Sequence, residues 1–317
     1  MFKWRKLGRV FNPADSHHAE WMYEFAQAPC ALAFDNFVRV YFSCRPRPDE
    51  EGRYVSYSAY VDLNRKNLFE VLGITAQPVL KLGTLGTFDE FGTYPISVIR
   101  DRNQVLAYYG GWTRCESVPF NVAIGYAVSQ DNGHTFEKVG SGPVLSYSPD
   151  EPFVLSGPKI RRFNDLWYLY YIAGRKWILS DGKAEPVYKI RLAISEDGLH
   201  WTRLHKDIIA DALGENEAQA SPDVFYHEGR YHMFFCYRHP TDYRCNRARS
   251  YRIGYASSSD LVNWSRDDAQ VEIDVSDEGW DSEMLAYPHV FVLDSKVYML
   301  YLGNQVGRYG FGLAQAC

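Results

Sequence analysis

A chain of 317 residues with 46% hydrophobic content has room for one large domain or two. Its net charge of −5 argues against a nucleic-acid binder, whose footprint would be basic. No apolar run approaches a membrane span, and MFKWRKLGRVFNP lacks the apolar core of a signal peptide. The six cysteines form no CxxC pair, so scattered thiols in a reducing compartment, the cytoplasm, are expected.

The predicted elements, taken in chain order, repeat. Residues 2–13, FKWRKLGRVFNP, read as a strand resembling later ones such as FEKVGSGPVL (136–145) and WTRLHKDII (201–209). Prolines then recur at Pro29, Pro95, Pro158, Pro222 and Pro288, at spacings of 66, 63, 64 and 66 residues. Thirteen residues after each stands an aromatic: Phe42, Tyr108, Tyr171, Phe235 and Tyr301. GTFDEFGTYPISVIRDRNQVLAYYGGW (86–112) and GWDSEMLAYPHVFVLDSKVYMLYLGN (279–304) show the unit most fully. Each has an acidic cluster, Tyr-Pro, a β-branched run, a polar break and a Tyr-rich run.

A hairpin follows in IGYAVSQDNGHTF (124–136), IRLAISEDGLHW (190–201) and IGYASSSDLVNW (253–264). Asp, Asn and Gly there supply Asx turns or positive φ. SQDNGHTF also resembles the Asp-box hairpin of sialidases, taken as a structural turn. Each unit therefore holds four short strands, with almost no helical periodicity. The fold expected is all-β: a five-bladed β-propeller, one domain over 1–317. The fifth unit stops after its third strand, so residues 1–12 complete the last blade and leave no free sheet edge.

In such a ring, the loops leading into the inner strands and those joining second to third strands share one face. The leading loops are acidic. Glu stands five before the proline in four blades, as Glu24, Glu90, Glu217 and Glu283, joined by Asp89 and Asp281. The second set is basic, with Arg45, Arg175, Arg238 and Arg308, and Trp112, Trp177 and His18 sit among them. Neighbouring carboxylates acquire separated pKa values, Trp offers a platform for sugar rings, and Arg grips anions bidentately. A Glu recurring at equivalent positions also fits an architectural role. A catalytic residue should break the symmetry. Lys159, Asp223 and His289, each directly after its proline, do so and are expected in the channel, as an ion network or as catalytic groups.

GTFDEFGTYP, YYGGW, VAIGYAVSQDNGHTF, GWDSEMLAYP and GFGLA together resemble the five-bladed glycosidase propellers, glycoside hydrolase families 43, 32, 68 and 130. The likeness is strongest to glycosidase-like propellers of bacterial surface-glycan gene clusters. It implies a glycan-active, hydrolase-like enzyme with a carbohydrate substrate, anionic or nucleotide-activated, and a phosphorylase as a sub-case. It also implies a general acid in blade four, for which Glu217 is the candidate, with Asp89 or Glu90 as base. Glu24, Glu283 and Asp281 complete the catalytic candidates. His18, Arg45, Trp112, Arg175, Trp177, Arg238 and Arg308 are the binding candidates.

The family 43 carboxylates themselves do not carry over, because Ala28, Gly157 and Ala220 stand at the matching positions. That departure supports the alternative, a carbohydrate-binding or pathway-assembly propeller without catalysis. No cofactor, nucleic-acid partner or membrane partner is expected. There is no HExxH spacing for zinc and no Gly-rich nucleotide loop.

Overall fold

The structure is a computed structural model that describes residues 2–15 and 19–317. Five antiparallel sheets stand around one axis. Their inner strands are Glu24–Ala33, Thr93–Asp101, Leu155–Phe163, Ala218–His227 and Ala286–Leu293, for blades 1 to 5. Each inner strand contacts the next around the ring, and the fifth contacts the first. In blades 1 to 4 the four strands follow in sequence order from axis to rim.

Blade 5 closes as the sequence implies. Phe2–Phe11 pairs antiparallel with the C-terminal strand Phe311–Ala316, and Val271–Glu272 adds a parallel fifth strand outside it. The closing strand also plugs the joint with blade 4. Phe2 and Trp4 pack edge-on against Phe234, at 5.3 Å between ring centroids in both cases.

Tyrosines stitch the other blades. Tyr41, Tyr108 and Tyr170, on second strands, donate to the carbonyls of Gly133, Gly198 and Leu261 at 2.8, 2.7 and 3.2 Å. Each acceptor lies in the outer hairpin of the next blade and has positive φ, which turns its carbonyl toward the neighbour. A Ser and an Asp hold each hairpin. Ser129 Oγ accepts the Gly133 amide, and Asp131 accepts the Thr135 amide and hydroxyl. Ser195 with Asp197 and Ser258 with Asp260 repeat the device. The Asp-box likeness is thus a turn whose carbonyl is an inter-blade acceptor.

Every inner strand has a register shift at its proline. The preceding residue has positive φ at Ala28, Gly157, Ser221 and Tyr287. Such bulges re-aim the side chains beside them. Lys159, Asp223 and His289, next after their prolines, meet in a buried network. Asp223 Oδ2 receives His289 Nδ1 at 2.6 Å, Lys159 Nζ at 3.4 Å and the Val290 amide at 3.1 Å, while Arg161 pairs with Oδ1. His289 Nε2 accepts the Ala31 amide of blade 1 at 2.8 Å. Ser97 Oγ of blade 2 accepts the Ile160 amide at 3.1 Å. All five blades are thereby tied at the axis.

These contacts fix a neutral imidazole. Burial is the largest influence on His289 and pulls it down to about 4, against the opposing pull of Asp223. Burial alone would raise the Asp223 carboxyl, but Arg161, Lys159 and His289 together hold it well below the usual carboxylate range. A depressed histidine pKa means that the unfolded chain takes up the proton first. Its contribution is complete above pH 6.5 and is lost as pH falls towards 4, about 3 kcal/mol in all. Asp223 extends the loss below that range.

Urea unfolding at pH 7.5 and pH 5 should show this loss, and His289→Asn should flatten it; equal acid sensitivity in both proteins would contradict the assignment. Tyr108→Phe should cost about 1–2 kcal/mol at neutral pH, by leaving the Gly198 carbonyl unsatisfied.

Candidate functional site

The leading-loop carboxylates fall into two groups, sorted by what their own blade offers them. In blades 2 to 5 a buried acid reaches outward to a basic residue of the outermost repeat strand. Asp89 meets Lys138 Nζ at 2.5 Å, Glu151 meets Arg203 at 2.7 Å, Glu217 meets Arg266 at 2.7 Å and Asp281 meets Lys6 at 2.9 Å. Tyr109, Tyr171 and Tyr301 of the second strands donate to Asp89, Glu151 and Asp281 at 2.7–3.1 Å. Blade 4 has Phe235 instead, and the Arg266 guanidinium lies 5.1 Å from its ring. Glu217 also accepts the amides of Ala212 and Leu213, both at 2.9 Å. It is fully buried, and both its oxygens are occupied.

The clamp has a short sequence signature in each outer strand. Phe-Glu-Lys138, Trp-Thr-Arg203, Trp-Ser-Arg266 and Trp-Arg-Lys6 carry the cation two residues after an aromatic. These cations pair in register with Ala127, Ala193, Ala256 and Ala314, and at the matching position of blade 1 Val61 pairs with Ile74, which carries no charge. The carboxylate of blade 1, Glu24, therefore lacks a cation from the outer strand of its own blade. It turns instead to the second set of loops, where Tyr54 donates to Oε1 at 2.7 Å and Arg308 of blade 5 meets Oε2 at 2.9 Å. Glu24 is buried, whereas Arg308 is about half exposed.

Beside Glu24, across the strand pair, stands Arg45. Its guanidinium lies 4.7 Å from the Phe25 ring and 5.1 Å from Tyr54. Among the described residues, its Nε has no hydrogen-bond partner. Burial pulls the Arg45 pKa below its ordinary range, although Tyr94, Tyr54, Tyr287 and Glu24 act against the shift. Tyr94 is pushed up to about 12 by its burial, with Arg45, Tyr287, Tyr188 and Cys236 as the charged or polar neighbours that modulate it. Tyr188 and Tyr251 share a 2.8 Å hydroxyl contact, and Tyr251 packs on Tyr287 at 5.9 Å. Arg45, Tyr94, Tyr188, Tyr251 and Tyr287 come from five different blades, so they mark the mouth of the axis, above the Lys159–Asp223–His289 floor.

The remaining sequence candidates are placed as follows. Glu90 is half-buried and accepts the Gly86 amide at 2.8 Å; Glu283 is exposed. Arg238 is fully buried and donates to the Tyr251 and Tyr188 hydroxyls and to the carbonyls of Pro186, His239 and Pro240. Arg175 is exposed on the rim, 3.3 Å from the Asp150 carbonyl. Trp112 stacks on Tyr94 at 5.7 Å, and Trp177 lies further out. His18 and its neighbour His17 lie outside the described residues. Tyr54, Tyr94 and Tyr287 were not among the sequence candidates, although Tyr-Pro was visible as a repeat motif.

Among the described residues no group of three or more His, Cys, Asp or Glu is placed to hold a metal ion, and no helix is long and apolar enough to cross a membrane. A recess of about 1080 Å³ lies at the rim, lined by Trp4, Lys6, Asp268 and Asp274 among others. It is remote from the axis, and Lys6 and Asp268 are engaged in the clamps or beside them.

No protein-family model matches the chain. Two proteins of Mycobacterium tuberculosis, uncharacterized protein Rv1502 (strain ATCC 25618 / H37Rv) and uncharacterized protein MT1551 (strain CDC 1551 / Oshkosh), are each 35% identical over 312 residues. Each match covers 98% of this chain and 98% of the relative. A solved glycoside hydrolase superposes with a TM-score of 0.74 at 16% identity, covering 98% of this chain and 92% of its own. The β-1,2-mannobiose phosphorylase of Listeria innocua, in complex with β-1,2-mannobiose, gives 0.70 at 12% identity, covering 99% and 96%. A thermostable family-43 glycoside hydrolase gives 0.64 at 16%, covering 92% and 88%. At these identities the likeness is one of fold. The chain belongs to the family of the Mycobacterium tuberculosis protein Rv1502, and its fold is the five-bladed propeller of the glycosidases and mannoside phosphorylases.

Proposed function

We propose that the protein is a glycan-active enzyme whose site is the mouth of the axis. Glu24 is its acid–base group, and Arg45 holds an anionic group of the sugar substrate. The observation that carries this reading is the broken clamp of blade 1. Four carboxylates are neutralised inside their own blades; Glu24 is held by Tyr54 and a half-exposed Arg308, beside a desolvated guanidinium. A desolvated cation favours an anionic partner, and a planar guanidinium suits a carboxylate or phosphate. Glycoside chemistry in the solved structures of this fold makes a sugar the natural bearer of that anion. Glycosidic cleavage needs a proton delivered to the leaving oxygen, and Glu24 with Tyr54 offers a carboxyl–phenol pair for it.

One observation favours a second reading, recognition without catalysis. Ala28, Gly157 and Ala220 leave the mouth without the carboxylates that family 43 places there. A single carboxylate at the mouth also suits phosphorolysis, in which phosphate is the nucleophile and one protein acid suffices.

The test is incubation with nucleotide sugars, phosphorylated sugars and oligosaccharides, with and without phosphate, followed by mass spectrometry. Turnover should fall at least 100-fold in Glu24→Gln with the fold intact. Arg45→Met should weaken binding of anionic sugars more than neutral ones. Glu217→Gln should act through stability, costing about 3 kcal/mol by leaving the Arg266 charge underpaired. Binding without turnover by the unaltered protein would sink the acid–base role of Glu24 and favour the recognition reading.

A further inference from the structure

Blade 3 departs from the other blades in one dimension. Its second and third strands, Leu166–Ser180 and Lys183–Ser195, have 15 and 13 residues, against 7 to 11 for the second strands elsewhere. The excess forms a hairpin ending at Ser180–Lys183. It is braced on the blade 4 side, where Glu185 accepts the Tyr243 hydroxyl at 3.0 Å and pairs with Arg244. On the blade 2 side it presents Trp177.

From Trp177 a row of rings runs back to the axis. Trp177 meets Phe120 at 5.5 Å, Phe120 meets Trp112 at 4.3 Å, and Trp112 stacks on Tyr94 at 5.7 Å. Trp112, Phe120 and Trp177 are half-buried, and none of the three belongs to the protein's hydrophobic core clusters. The row is therefore not a limb of the interior. Its rings follow one another at 4.3–5.7 Å, and its inner end, the buried Tyr94, adjoins the mouth. Aromatic side chains with one apolar face and a wet edge suit the flat faces of pyranose rings. A braced hairpin holds such a platform without an ordering cost on binding.

We propose that this row is a binding track for an extended saccharide, running from the mouth outward between blades 2 and 3. The inference rests on the reading of the mouth as a sugar site and adds that the substrate is a chain, not a single glycoside unit.

Titration calorimetry with two series, oligogalacturonides and mannooligosaccharides of one to six residues, tests it. In at least one series, affinity should rise about tenfold or more with length. Trp177→Ala should remove that gain while leaving the shortest ligand's affinity unchanged. Length-independent affinity, or a gain untouched in both Trp177→Ala and Trp112→Ala, would overturn the track. The mouth reading would still stand if Arg45→Met weakened the shortest acidic ligand. No binding at any length in either series would overturn the track as well.

Discussion

The pairing of a buried carboxylate with a cation at the far edge of the same sheet is the interaction on which the architecture rests. An inner strand is short and bulged at its proline, so its leading loop needs an anchor. The acid supplies it by reaching across the blade to the outermost repeat strand, which in three blades is only two residues long. Removing either partner would leave an uncompensated charge in the interior, which is far costlier than losing a surface ion pair. The clamp thus accounts for the acidic leading loops, the basic outer strands, and the pairing of most of those acids within their own blades.

The large-scale fold was legible because its signals are local and repeated. The proline spacing, the Asp turns and the missing last strand each rest on a few adjacent residues. The N-terminal strand could be matched to the outer strands by its Trp-Arg-Lys pattern alone. The site was less legible, for a reason visible in the loops. The clamped acid stands six residues before the proline at Asp89, seven at Glu151 and Asp281, and five at Glu217. A fixed offset therefore collects Glu90 and Glu283, which are not clamped, and misses Glu151. The leading loops vary in path, whereas the strands do not. The discriminating letter lay instead in the outer strands, where Ile74 takes the register position of a cation, and it acquires meaning only once the acid is known to reach that far.

The mouth owes its character to the same bulges. Positive φ before the proline brings Tyr287 to the axis, where Tyr94 of blade 2 faces it. At matching positions the other blades carry the small residues Ala28, Gly157 and Ser221. Phenols and guanidiniums thus gather at the axis. Such a lining donates hydrogen bonds and positive charge more readily than it accepts them, which biases it towards ligands rich in oxygen and negative charge. That bias is local, since the chain as a whole is acidic.

The floor sets the last constraint. Lys159, Asp223 and His289 close the axis with a network in which each polar atom already has a partner from another blade. The axis is therefore closed at this level by side chains from three blades. The rim is not uniform. Between blades 4 and 5 it is lined by charged residues, several of them held in ion pairs. Between blades 2 and 3 it carries a braced hairpin and a row of half-buried rings that the core does not use. On the proposed reading of the mouth, a sealed floor and an aromatic rim on one side would direct a ligand outward between blades 2 and 3.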